Sequence, residues 1–180
     1  MDVFHSPQWI SRAIPTAACK HPVHRMETAV QTQAKCTPVQ HGTMAYGRLC
    51  THGYFPKDSP SSGLGHRHDW EGIVVWVDNP AAVNPQILSI AYSGHGQFTN
   101  VAPSNTNLNG TNPLISYNST WPLNHELGVT GTVGGMQPLI GWDDLTSAAR
   151  NALNTTDFGS ANVPLNDSNF TNNLNKAWFR

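Results

Sequence analysis

No run of Lys or Arg occurs anywhere in the 180 residues, and 10 basic side chains nearly cancel 11 acidic ones, for a net charge of -1 with His neutral. That balance excludes capture of nucleic acid, or of a generally acidic membrane, by bulk charge. Charged residues make up only 12% of the chain, which argues against a disordered protein of the high-charge type. No stretch approaches the ~20 consecutive apolar residues that a membrane-spanning helix needs. Residues 1–7 (Met-Asp-Val-Phe-His-Ser-Pro) hold no basic region followed by an apolar run, so they do not read as a signal peptide. Cysteine is scarce too. Cys19, Cys36 and Cys50 are too few for a disulfide scaffold and lack the Cys-x-x-Cys spacing of a zinc site, although a bridge between Cys36 and Cys50 stays open. Nucleophile elbow, phosphate loop and dinucleotide fingerprint are all missing.

What the chain does contain is turn chemistry. Its 15 Gly and 13 Pro predict short elements joined by many turns, a pattern that leans towards strands. The length suits one domain. Residues 1–40 show no clear periodicity and read as an atypical, disordered or loosely attached segment, which leaves 41–180 as the domain. Phe55 to Gly63 reads as a loop. Asp69 to Val77 is rich in β-branched and aromatic residues and reads as a strand, and Gln86 to Tyr92 as its hairpin partner. Residues 99–112 read as loop, and Pro113 to Tyr117 as a short strand. Two helices stand out. Asp143 or Asp144 can cap one with an apolar face of Leu145, Ala148, Ala149, Ala152 and Leu153. The other begins near Asn169 and aligns Phe170, Leu174 and Trp178. Asn-x-Ser/Thr sequons occur at Asn109, Asn118, Asn154, Asn166 and Asn169, a weak pointer to secretion.

The chemistry concentrates between Asp58 and Glu71. Three carboxylates (Asp58, Asp69, Glu71) and two histidines (His66, His68) fall within 14 positions. Carboxylate oxygens suit hard divalent cations. Side chains alternate along a strand, so Asp69 and Glu71 share a face and Trp70 takes the other. Gly63 and Gly65 let the loop fold back so that Asp58 reaches that face. Other arrangements stay open. Arg67 can pair with Asp69 or Glu71 at a solvated strand entrance. His66 and His68 suit zinc by strand spacing, but three carboxylates make a poor zinc set. Paired carboxylates also serve glycosidases.

Gly65-His66-Arg67-His68-Asp69-Trp70-Glu71 matches at every position the hallmark heptapeptide of the Nep1-like (NPP1, necrosis- and ethylene-inducing) proteins. The chain resembles that family from about Tyr54 to Trp178. The segments that carry the likeness downstream are 110–114, 119–125, 137–140 and 157–164. The resemblance implies a mainly β fold with flanking helices, a β-sandwich similar to actinoporins and lectins. It implies a secreted, monomeric cytolytic toxin rather than an enzyme, one that binds glycosylinositol phosphorylceramide head groups on the plant plasma membrane and damages the bilayer. It implies a divalent cation, Ca²⁺ or Mg²⁺, held at Asp58, His66, Asp69 and Glu71 with His125 nearby. It places Trp121 and Asn124 in sugar or membrane contact, Asn124 standing where the family often has an acidic residue. His95 falls in a family segment and is expected to be a buried structural histidine.

Two departures from the family mark the N-terminal side, where its usual strands are atypical or missing. Residues 1–35 do not match. At 48–54, His52 and Gly53 are expected to weaken a central strand and leave the sheet incomplete. A non-cytolytic or defective relative is the alternative that these departures favour.

Overall fold

The computed structural model describes residues 39–41, 44–59, 63–80, 82–120, 124–135 and 140–180. Five antiparallel strands lie side by side in chain order: β1 (Val39–His41), β2 (Met44–Lys57), β3 (Arg67–Val77), β4 (Ile87–Gly94) and β5 (Gln97–Val101). A small ladder of β6 (Leu108–Asn109) with β7 (Asn112–Pro113) leads into β8 (Ile115–Thr120), which pairs with β9 (Asn124–Val129). The molecule is mainly β, with a 3-10 turn at Trp142–Asp144 and two short helices, α1 (Ser147–Thr155) and α2 (Phe170–Lys176).

β3 is the middle strand, and its sequence shows why. From Ile73 to Val77 it is apolar at every position, so both of its faces can be buried. One face sends Ile73, Val75 and Val77 against Ile115, Tyr117 and Leu127 of β8 and β9, which makes the second layer of a sandwich. The other sends Val74 and Trp76 against Leu174 and Ala177. Burial of each of these aliphatic side chains contributes about 1.5–3 kcal/mol. The β3–β4 pair stands as the sequence predicts.

β2 departs from expectation. It is continuous through His52 and Gly53 and pairs with β3 from Gly47↔Val77 to Lys57↔Arg67. His52 is tolerated because Gly72 stands directly opposite. A Cβ on Gly72 would lie 2.6 Å from the His52 ring, so the imidazole fills the volume that a side chain would need. Phe55 to Lys57, expected as loop, finishes this strand. Residues 99–112 are not all loop either, since β5, β6 and β7 occupy much of them. The strand expected at Pro113 to Tyr117 is split, with β7 ending at Pro113 and β8 starting at Ile115.

The helices are corrected in detail. The cap of α1 is Thr146, whose hydroxyl accepts from the Ala149 N–H at 3.2 Å, while Asp143 and Asp144 lie in the preceding 3-10 turn. Leu153 is the buried residue of α1, whereas Ala148 and Ala152 are exposed. Leu145 precedes the helix but packs into the same cluster with Trp70 and Phe158. Helix α2 begins after Asn169 as expected, and Phe170, Leu174 and Trp178 all pack against the sheet. The Trp76 indole donates to the Ala177 carbonyl at 2.9 Å and ties the C-terminal end to β3. Cys50 is buried in this cluster, while Cys19 and Cys36 lie outside the described residues.

Candidate functional site

Asp58, His66, Asp69, Glu71 and His125 converge at one end of the sandwich. The loop between β2 and β3 closes on itself. Asp58 donates its N–H to the His66 carbonyl at 2.9 Å, and His66 donates back at 3.1 Å. Gly63 and Gly65, at φ of 79° and 84°, make the reversal, in a region where glycine carries no Cβ penalty. His68 also sits at positive φ, 66°, which is costly for a residue with a side chain. Two contacts hold it there. Its ring meets the Tyr54 hydroxyl, and its carbonyl accepts from His66 Nδ1 at 2.8 Å. That last bond orients His66, whose Nε2 comes within 3.4 Å of Asp58 Oδ2.

The three carboxylates are nearly inaccessible, at 1% (Asp58), 8% (Asp69) and 6% (Glu71) exposure. Asp58 lies between the two histidines. His125 Nδ1 meets its Oδ1, and the His125 N–H donates to its Oδ2 at 3.3 Å. Asp69 accepts from the Tyr117 hydroxyl at 2.7 Å and from the Trp70 N–H at 3.0 Å. Glu71 accepts from the Ser93 hydroxyl, which itself accepts from the Gly72 N–H at 2.7 Å. Burial raises the Asp69 pKa, and Asp58 adds to the effect. Burial pushes Glu71 up to about 9, with Asp69, Glu126 and Asp58 reinforcing it and the Ser93 hydrogen bond opposing it. Tyr117 is raised as well, by burial and by the neighbouring Asp69.

Asp69 and Glu71 therefore share a face, as strand alternation predicts, and Trp70 turns the other way towards Leu153, Phe158 and Val163. Arg67 is exposed and forms no ion pair with Asp69 or Glu71 among the described residues, so the salt-bridged strand entrance is not formed. Asn124 lies on the same wall, with its side-chain oxygen buried and without a hydrogen-bond partner among the described residues. Trp121 lies outside the described residues. His95 is corrected. It is exposed in the β4–β5 turn, and its Nε2 lies 3.3 Å from Glu126 Oε2. Sequence reasoning missed Ser93, Tyr117 and Glu126. Nothing in their local sequence marks them, because the sheet register alone brings them to the carboxylates.

The site opens into a cavity of about 660 Å³. It forms where the β3–β4 ladder stops, at Ile73↔Tyr92. Beyond that pair the Ser93 side chain links the two strands in place of the backbone ladder, and the cavity runs from His66, Asp69 and Glu71 past Gly72 and Phe98 to α2. The donor set suits a hard cation: three buried carboxylates with no Lys or Arg ion pair among the described residues, beside an amide oxygen that has no hydrogen-bond partner among them. As oriented here the carboxylates face their hydrogen-bond partners. Among the described residues no three His, Cys, Asp or Glu side chains already form a closed metal-binding group.

Fold and site together define a β-sandwich protein with an acidic cavity at one end. The chain belongs to the necrosis-inducing protein (NPP1) family, whose model matches residues 22–177. NLP effector protein 2 of Phytophthora capsici is 47% identical over 163 residues, covering 85% of this chain and 66% of that protein. This chain thus spans about two thirds of that relative's length. NLPPya in complex with mannosamine superposes with a TM-score of 0.72 at 45% identity, covering 84% of this chain and 68% of that one. NLPPya has also been solved in complex with glucosamine. The non-toxic HaNLP3 protein superposes with a TM-score of 0.73 at 38% identity, covering 83% of this chain and 67% of that one.

Proposed function

We propose that this chain is a secreted cytolytic toxin. In this reading it binds the sugar head group of glycosylinositol phosphorylceramide on the plant plasma membrane and damages the bilayer. The observation that carries the reading is the pair of buried carboxylates, Asp69 and Glu71, that lines the cavity, with a third, Asp58, buried behind them. Uncompensated burial of that much potential charge is unfavourable, and a bound divalent cation, Ca²⁺ or Mg²⁺, would offset it. Asp58, His66, Asp69, Glu71 and His125 would hold the ion. It would supply positive charge to which sugar hydroxyl oxygens bind. Asn124 and Trp121 are assigned to the sugar and the membrane surface. The complexes of NLPPya with two amino sugars support a carbohydrate ligand. An enzymatic role is not part of this reading.

The test is dye release from vesicles containing glycosylinositol phosphorylceramide, with and without chelator. Release that requires both lipid and cation is expected, and release from vesicles without the lipid would contradict the reading. A second reading, a non-cytolytic binding relative, draws support from HaNLP3, a non-toxic protein with the same fold. Head-group binding without dye release would favour it.

A further inference from the structure

Helix α2 turns two unlike faces to its surroundings. Phe170 and Leu174 pack into the core, and Ala177 caps them. Asn169, Asn172, Asn173 and Lys176 follow the i, i+3, i+4, i+7 spacing of a single helical face, and all four line the cavity. Asparagine is a poor helix former because its side chain competes for backbone hydrogen bonds. A seven-residue helix that carries it repeatedly is not built for helical stability. Some of these amides have structural work. Asn169 Nδ2 donates to the Val163 carbonyl at 3.1 Å, and Asn173 Nδ2 to the Pro164 carbonyl at 3.4 Å. The Lys176 ammonium is anchored on the Gly96 carbonyl at 2.7 Å. Asn172 and its neighbour Asn175 are exposed on the cavity wall, and their side chains form no hydrogen bond among the described residues.

An amide carries both donors and acceptors, so a row of them matches the hydroxyls of a sugar. The cavity volume, about 660 Å³, falls within the ~300–1,000 Å³ of pockets that enclose a drug-sized ligand, which is more room than one sugar ring fills. Its two ends differ in chemistry: the Asp69 and Glu71 carboxylates of β3 beside the His66 imidazole at one end, neutral amides of α2 at the other. We propose that the cavity takes two adjacent sugar units of an oligosaccharide, the first against the carboxylate wall and the second against the amide face of α2. This inference rests on the head-group reading above and adds a second subsite to it.

The experiment is calorimetric titration of the full chain, with cation present. The probes are glucosamine and a panel of α- and β-linked disaccharides containing it. At least one disaccharide should bind about 10-fold more tightly than glucosamine, the worth of one or two net hydrogen bonds. In an Asn172→Ala/Asn175→Ala double variant that gain should vanish while glucosamine affinity holds. Alanine favours the helix, so the thermal midpoint of the variant should not fall. If no disaccharide exceeds glucosamine, or if the variant weakens both probes equally, the second subsite is overturned. If a folded parent protein binds no glucosamine at all, the head-group reading fails first and this inference falls with it.

Discussion

The two halves of β3 bury the same face with opposite chemistry. Ile73, Val75 and Val77 meet the β8–β9 layer as aliphatic side chains, while Asp69 and Glu71, earlier on the same face, are carboxylates held by Tyr117 of β8 and Ser93 of β4. Burial is comparable, but the energetics differ. The apolar half contributes stability through area removed from water. The acidic half is unfavourable unless its charge is neutralised by protonation, hydrogen bonds or a cation. One strand thus holds the sandwich together at one end and, in the function proposed above, keeps a binding group ready at the other. The two ends should therefore respond to different perturbations.

The largest expected effect lies at the apolar end. Ile73→Ala should cost about 2–5 kcal/mol in denaturant unfolding, while dye release per folded molecule stays unchanged. At the acidic end, Asp69→Ala should lower dye release by about 100-fold or more, since loss of groups that merely orient metal ligands already costs ~10–100-fold. Circular dichroism should show its fold retained. Full activity of that variant would dissolve the distinction between the halves.

His52 offers a smaller, pH-dependent comparison, because it is a buried ionisable group on β2 whose Nδ1 has no partner among the described residues. Burial lowers it from 6.5 to about 3. The folded state holds it neutral, so its contribution is complete above pH 6.5 and is lost as the pH falls towards 3. The slope should approach about 1.4 kcal/mol per pH unit in that window. Unfolding curves of His52→Gln at several pH values should lack that component. The smallest effect is expected for Glu71→Gln. With its pKa pushed up to about 9, Glu71 is protonated at neutral pH in the cation-free protein. The amide should then change cation-free stability by less than about 1 kcal/mol while still lowering dye release.

Much of this contrast is legible in the sequence. The run from Ile73 to Val77 announces a central strand, and alternation places Asp69 with Glu71. The rest depends on pairing that no local pattern carries. His52 and Gly53 look like strand breakers until Gly72 is known to stand opposite. β5 is hidden because Gln97, Thr99 and Asn100 are polar, and only its register with β4 makes it a strand. Ser93, Tyr117 and Glu126 reach the carboxylates across the fold. His95 falls in a segment that resembles the family and was expected to be buried, yet the tight β4–β5 turn leaves it outside. Asp143 and Asp144 look like helix caps, but Arg150 Nη1 donates to the carbonyls of Trp142 and Leu145 at 3.1 and 2.9 Å, pinning that segment as a separate turn.

The central claim is that the buried carboxylates await a divalent cation. Thermal unfolding of the parent chain and of Asp69→Asn, with Ca²⁺ or Mg²⁺ titrated from zero, tests it most directly. A cation bound only by the folded state stabilises it by about 2.7 kcal/mol at 100 times its dissociation constant. The parent midpoint should therefore rise with cation and the Asp69→Asn midpoint should stay level. A parent midpoint that does not move with either ion, in a protein that still releases dye from head-group vesicles, would contradict the account.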